Sequence, residues 1–142
     1  MTAISPIYVA PSARDLTRTY MMAQLAIPRG GFSIPSTVTW TSSIPPDPRP
    51  ARFFTIEELN SATEYGIFAD AQLIQIRAYD KDLKWLGQTM RLTKALWKVM
   101  PAELKVQSVE HAGGPSYDED PDVPGLRYGQ LISWVTVMTV AV

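Results

Sequence analysis

From Phe68 onward the hydrophobic period of the chain switches twice, and that order leaves few folds open. Phe68–Tyr79 alternates, with Phe68, Ile74, Ile76 and Ala78 on one parity and Leu73, Gln75, Arg77 and Tyr79 on a more mixed one. This is the pattern of a strand with one face in a core and the other facing solvent or another subunit. Leu83, Leu86, Met90, Thr93, Trp97 and Met100 then recur at helical spacing, with Leu92 and Leu96 widening the stripe. The spacing predicts a helix capped by Asp80, running to about Met100 and stopped by Pro101. Asp80 and Asp82 suit the positive end of its dipole, and Lys94 and Lys98 the negative end. Gly87 weakens such a helix by about 1 kcal/mol relative to alanine, and is expected to let the sheet approach closely. Alternation returns in Leu104–His111, which Gly113-Gly114-Pro115 is expected to end. It returns again from Arg127 to about Val140. There Tyr128, Ile132, Trp134, Met138 and Val140 share one parity, and Leu131, Val135 and Val137 the other. A strand apolar on both faces must be covered on both, or must bend into two environments. An exposed edge of this kind needs pairing, and a subunit interface is one solution.

The first half is less regular. Ser12 suits an N-cap, with Asp15 three residues on, and Leu16, Tyr20, Met21 and Leu25 mark one helical face up to Pro28 and Gly30-Gly31. Ser36–Thr41 and Arg52–Glu58 read as strands, and Asn60–Gly66 as a polar turn. The four prolines within 42–51 exclude a central strand there, so that stretch is expected to be an extended loop, as is 114–126. The expected architecture is α+β and sandwich-like: a mostly antiparallel mixed sheet packed against one long helix, with an additional N-terminal helix. The 142 residues suit a single domain over residues 1–142.

Net charge is -1, from 13 basic and 14 acidic residues, so no concentrated positive surface marks specific nucleic-acid recognition. Without cysteine there is no disulfide, thiolate metal site or cysteine nucleophile. No apolar run has the length of a membrane span, and Met1–Tyr20 lacks the pattern of a secretory leader. His111 is the single histidine. A triad would need a nucleophile and a carboxylate beside it, but Ser108 and Glu110 are sequence neighbours on a strand whose successive residues face opposite ways. A hydrogen-bonding role at a strand end is expected instead. Asp118, Asp120 and Asp122 have the oxygen chemistry and alternate spacing of hard-cation ligands, yet lack the glycine and terminal glutamate of a calcium loop. A solvated or partner-facing loop is expected. The two glycine pairs lack the lysine and hydroxyl of a phosphate loop. Trp85 and Trp97 are separated by about 120° around a helix and do not form one ligand box; packing or interface roles are expected for Trp97 and Trp134. No catalytic, cofactor-binding or metal-binding residue is assigned.

The order of elements in Val106–Val140, VQSVEHAGGPSYDEDPDVPGLRYGQLISWVTVMTV, resembles the tail terminator family of long-tailed bacteriophages. The shared arrangement is a strand with a glycine-proline element (Gly113-Gly114-Pro115), an aspartate-proline loop (Asp120-Pro121-Asp122), and Arg127-Tyr128 leading the last strand. The preceding strand and helix, IQIRAYDKDLKWLGQTMRLTKALWKVM, follow the family order. The likeness covers roughly Arg52–Val142. It implies a homo-oligomeric ring, a hexamer in the family, that caps the tail tube, stops its polymerisation and offers the head an attachment surface. Its implied partners are further copies of itself, the tail tube protein and a head-completion or connector protein. It implies no cofactor and no membrane, and the genome would pass through the ring without specific recognition. Its implied place is the tail–neck junction of the virion, after assembly in the bacterial host cytoplasm. Neck proteins share size and ring assembly, so a head–tail connector, stopper or adaptor, is the alternative; a small enzyme or an unrelated binding module is the remaining one. Residues expected to make protein contacts are Arg77, Arg127 and Tyr128 as directional groups, Trp134 by packing, and Asp118, Glu119, Asp120 and Asp122 toward a ring lumen or a basic surface.

Overall fold

The alternation around Ile74 and Ile76 becomes the middle strand of a five-stranded sheet. The computed structural model describes residues 6–65, 68–104 and 106–142, with backbone alone for 60–65 and 103. The elements in chain order are β1 (Tyr8–Val9), α1 (Ala13–Leu25), β2 (Thr39–Thr41), β3 (Phe53–Tyr65), β4 (Ala69–Asp80), α2 (Leu83–Glu103), β5 (Val106–Glu119), β6 (Arg127–Met138) and β7 (Val140–Ala141). The large sheet has the order β2-β3-β4-β6-β5; β1 and β7 form a separate ribbon. Only β2 and β3 run parallel. The other large-sheet pairs, and β1 with β7, are antiparallel. Because β4 and β5 are each antiparallel to β6 between them, they run the same way, and α2 makes the return journey across the sheet.

Both helices pack on one face of the sheet, and α1 also packs on α2. The fold is thus α+β, a mixed sheet against one long helix with an N-terminal helix beside it. Ile74, Ile76 and Ala78 of β4, and Leu131, Val135 and Val137 of β6, meet Leu86, Met90, Trp97 and Met100 of α2 and Tyr20, Met21 and Leu25 of α1 in the main core. The start of α1 is anchored from the sheet. The amide oxygen of Gln72 accepts the otherwise unpaired N–H of Ala13 at 2.8 Å, and its Nε2 donates to the Pro11 carbonyl at 3.1 Å. Ser12 caps the helix by accepting from the Asp15 N–H. Tyr20 Oη donates to the Leu96 carbonyl at 2.8 Å and ties the two helices together.

Several boundaries differ from the sequence reading. Asp82, not Asp80, caps α2, accepting from the N–H groups of Lys84 and Trp85. Asp80 is the last residue of β4 and is engaged by Arg52, whose Nε and Nη2 donate to the same carboxylate oxygen at 2.9 and 2.7 Å. The Arg52 guanidinium also lies 3.9 Å from the centre of the Trp85 ring. The helix runs past Pro101, which sits in its last turn and costs one N–H there. Leu83 is exposed rather than the start of the buried stripe. The strand read at Ser36–Thr41 is only Thr39–Thr41, and β3 continues through the stretch read as a polar turn, with register shifts near Asn60; Gly66 lies outside the described residues, as does Lys105. Phe68 precedes β4 and is exposed, unlike Ile74 and Ile76 with which it shares parity. Gly113-Gly114-Pro115 does not end a strand: β5 absorbs it with register shifts between His111 and Gly113 and between Gly113 and Ser116, and runs on to Glu119. The loop at the far end is accordingly shorter than 114–126. Gly87 does not admit the sheet, since a Cβ there would meet only the Arg91 side chain, at 3.4 Å. The glycine of close approach is Gly129 on β6, where a Cβ would come within 2.5 Å of Met90 Cγ.

Candidate functional site

The face of the sheet turned away from the helices carries Arg77, Tyr128 and Trp134 of the candidate contact residues, with Asp118 at its end. Leu73, Gln75, Arg77 and Tyr79 of β4 share it with Tyr128, Gln130, Ile132 and Trp134 of β6, because Arg77 lies opposite Gln130 and Tyr79 opposite Tyr128. Arg77 Nε donates to Gln130 Oε1 at 2.9 Å, and its guanidinium stands 4.7 Å from the centre of the Tyr128 ring. This geometry orients a cation across an aromatic face and leaves further N–H donors for an incoming acceptor. At the same end Phe53 stacks on Tyr79 at 4.6 Å, and Tyr79 meets Tyr128 at 5.4 Å. Leu126 and Val123 close over them in a second, small apolar cluster. Further along the face Ile132 and Trp134 are half-buried. Beyond them Phe68, Ala69, Gln107, Ser108, Glu110, Thr136 and Met138 line a depression of about 350 Å³.

The acidic stretch divides by role. Asp118 and Glu119 are exposed at the end of β5, and Asp122 is exposed in the turn. Asp120 is buried, and one of its carboxylate oxygens accepts from the Asp122 and Val123 N–H groups at 2.8 and 3.0 Å. It therefore holds the turn that seats Leu126, and does not present itself to a partner. Among the described residues no three histidine or acidic side chains gather as metal ligands. Arg127 pairs with Glu119 at 3.5 Å, apart from Arg77 and Tyr128. Of the eight expected contact residues, Arg77 and Tyr128 are thus joined directly, and Trp134 shares their face. Asp118 lies opposite Tyr128 in the β5–β6 register, Glu119 and Arg127 pair beside it, Asp122 is exposed in the following turn, and Asp120 is structural.

His111 ends up neither beside Ser108 nor beside Glu110 as a functional pair. It faces the buried Ser133 across the β5–β6 ladder, on the helix side. Together they line a small crevice with Val109, Leu131, Lys94, Trp97 and Lys98. Sequence spacing could not reveal this, since the β5 bulges set which β6 residue His111 meets. The same holds for Gln130, which carries no motif and matters only because register sets it opposite Arg77.

The ribbon of β1 and β7 is a third surface. Val9 lies opposite Val140, and the Val142 N–H donates to the Ile7 carbonyl. Alternation then puts Ile7, Val9, Val140 and Val142 on one side. They are 64%, 48%, 53% and 78% exposed. Tyr8, on the other side, meets Phe68 edge-on at 5.7 Å. Two-residue strands show no period, so only the apolarity of Val140 pointed to this surface. Among the described residues no helix is long and apolar enough to cross a membrane.

Compared with known proteins, the sequence matches no family model and no curated protein.

Proposed function

We propose that this chain is a noncatalytic structural protein of a long-tailed phage virion, which forms a ring on the end of the tail tube. The ring halts addition of tube subunits and gives the head connector a surface to join. The observation that carries this reading is the apolar side of the β1–β7 ribbon, where Ile7, Val9, Val140 and Val142 all stand about half or more exposed, with Phe68 and Met138 exposed nearby. Aliphatic residues placed singly on a surface need no explanation, but a whole ribbon side of them marks a surface that another protein covers. A two-stranded ribbon is marginal by itself in water and gains from such cover. The order of elements from Arg52 to Val142, which resembles the tail terminator family, gives the cover its identity: neighbouring copies and the tube end. The action of such a ring needs no reacting group, only a far surface that tube subunits cannot match.

Electron microscopy of particles assembled with and without the chain tests the reading. Tubes of uncontrolled length, or tubes that fail to join heads, are expected in its absence. Tails of normal length bearing heads without it refute the proposal. A Val9→Asp, Val140→Asp chain is expected to fold and yet behave like the deletion.

A further inference from the structure

The crevice between α2 and β5 has the chemistry of a carboxylate receptor. Lys94 and Lys98 stand one turn apart on α2, and His111 faces them from β5. Among the described residues no carboxylate lines the crevice and neither lysine is in an ion pair. Trp97 forms part of its wall, is only 1% exposed, and its Nε1–H has no hydrogen-bond partner among the described residues. A buried donor without a partner, in a crevice that two lysines also line, calls for an acceptor carrying negative charge. The enclosed space is about 10 Å³, enough for one polar atom at its floor.

The same strand carries the complement at its other end. Asp118 and Glu119 close β5, where Glu119 pairs with Arg127 at 3.5 Å and Asp118 carries no ion pair among the described residues. Asp122 is exposed in the turn that Asp120 fixes, flanked by Pro121 and Pro124. This turn is held in advance, so little is lost in ordering it against a partner. His111 and Asp118 lie opposite Ser133 and Tyr128, five residues apart on β6, a separation of about 17 Å at the ordinary rise of a strand. One copy therefore cannot place its own acidic corner in its own crevice. A neighbour can, because among the described residues β5 is an edge strand of the large sheet.

We propose that the acidic corner at Asp118, Glu119 and Asp122 of one copy docks in the Lys94–Lys98–His111 crevice of the next. Two different, complementary patches on one subunit make a head-to-tail contact, the kind that closes into a ring when its rotation permits. The inference rests on the ring reading and names the contact by which the ring closes.

A charge-reversal set tests it in the full chain. One variant carries Lys94→Glu with Lys98→Glu, the other Asp118→Lys with Asp122→Lys; all four positions are exposed or half-buried, and circular dichroism checks that both fold. Each alone sets like charges together and is expected to weaken self-association by about 100-fold. An equal mixture restores it, since each variant's altered patch then meets the other's. Because the chain has no cysteine, Ala95→Cys with Pro121→Cys gives a clean short-range crosslink that leaves every proposed charge in place. A ladder of covalent oligomers is expected, absent when Arg14→Cys replaces Pro121→Cys. Association unchanged by both reversals, no rescue in the mixture, or no ladder each overturns the contact. Rings seen by microscopy in those cases leave the ring reading standing with a different interface, whereas the particle experiment above fails independently if no ring exists.

Discussion

Three glycines test how tightly the sheet is built, because alanine at each should have a different effect. Gly114 has φ +86°, and a Cβ there would lie 2.2 Å from the Gln130 carbonyl oxygen and 3.3 Å from Leu131 Cα. Both opposing atoms are backbone of β6, an interior strand paired on each side, and neither can rotate away. Left-handed backbone costs about 1–2 kcal/mol for a residue with a Cβ. Forcing the neighbouring strand apart adds about 1–3 kcal/mol. Gly114→Ala should therefore destabilise by about 2–5 kcal/mol. At Gly129 the Cβ would meet Met90 Cγ at 2.5 Å and Tyr117 Cε1 at 3.2 Å. Those are side chains, and methionine can change rotamer, so Gly129→Ala should cost about 1–2 kcal/mol. Gly87→Ala meets only Arg91 and should stabilise α2 by about 1 kcal/mol. Urea unfolding followed by circular dichroism reads all three, and about 3 °C in Tm accompanies each kcal/mol for a chain of this size. The expected order of stability is Gly87→Ala, wild type, Gly129→Ala, Gly114→Ala. If Gly114→Ala unfolds within about 0.5 kcal/mol of wild type, β5 is not held against β6 at its bulge, and the account of that strand is wrong.

Arg52→Ala should cost about 1–3 kcal/mol in urea unfolding. It strips the counter-charge from Asp80, whose side chain is 11% exposed, while the 42% exposure of Arg52 limits the effect. Arg52→Lys should recover little of this, because lysine lacks the two-pronged geometry and the stacking on Trp85; full recovery would refute that view. Asp120→Ala should cost about 1–2 kcal/mol and expose the 120–126 turn to protease, whereas Asp122→Ala should leave the cleavage rate of the isolated chain unchanged. Equal cleavage in both would remove the structural role given to Asp120. Trp97→Phe deletes an unpartnered donor with modest loss of volume, so its stability should stay within about 1 kcal/mol of wild type, against about 3–5 kcal/mol lost in Trp97→Ala. A phenylalanine variant as damaged as the alanine one would mean that the indole N–H is satisfied within the isolated chain.

Which features could be read from the sequence follows from the distance over which each is encoded. The α2 stripe of Leu86, Met90, Trp97 and Met100 and the alternation through Ile74 and Ile76 are local periodicities, and both give buried faces in the structure. The cap of α2 was chosen between two acids two residues apart, and the choice was made 28 residues away in sequence by Arg52, which takes Asp80 for itself. Gly87 and Gly129 show the same contrast: a helix pattern suggests that its own glycine makes room, but it was a strand glycine whose partner lies across the core. Among the candidate contacts, Arg77 and Tyr128 were legible as residue types. Their union depends on β6 lying between β4 and β5, which nothing within either strand specifies. The ribbon formed by Tyr8–Val9 and Val140–Ala141 lies beyond local reading altogether, since each strand is too short to carry a period and acquires meaning only from the other. An exposed apolar surface is prone to this kind of silence: among the described residues Ile7, Val9, Val140 and Val142 have no core partner to impose a spacing, and they look unremarkable until Tyr8–Val9 and Val140–Ala141 are seen side by side.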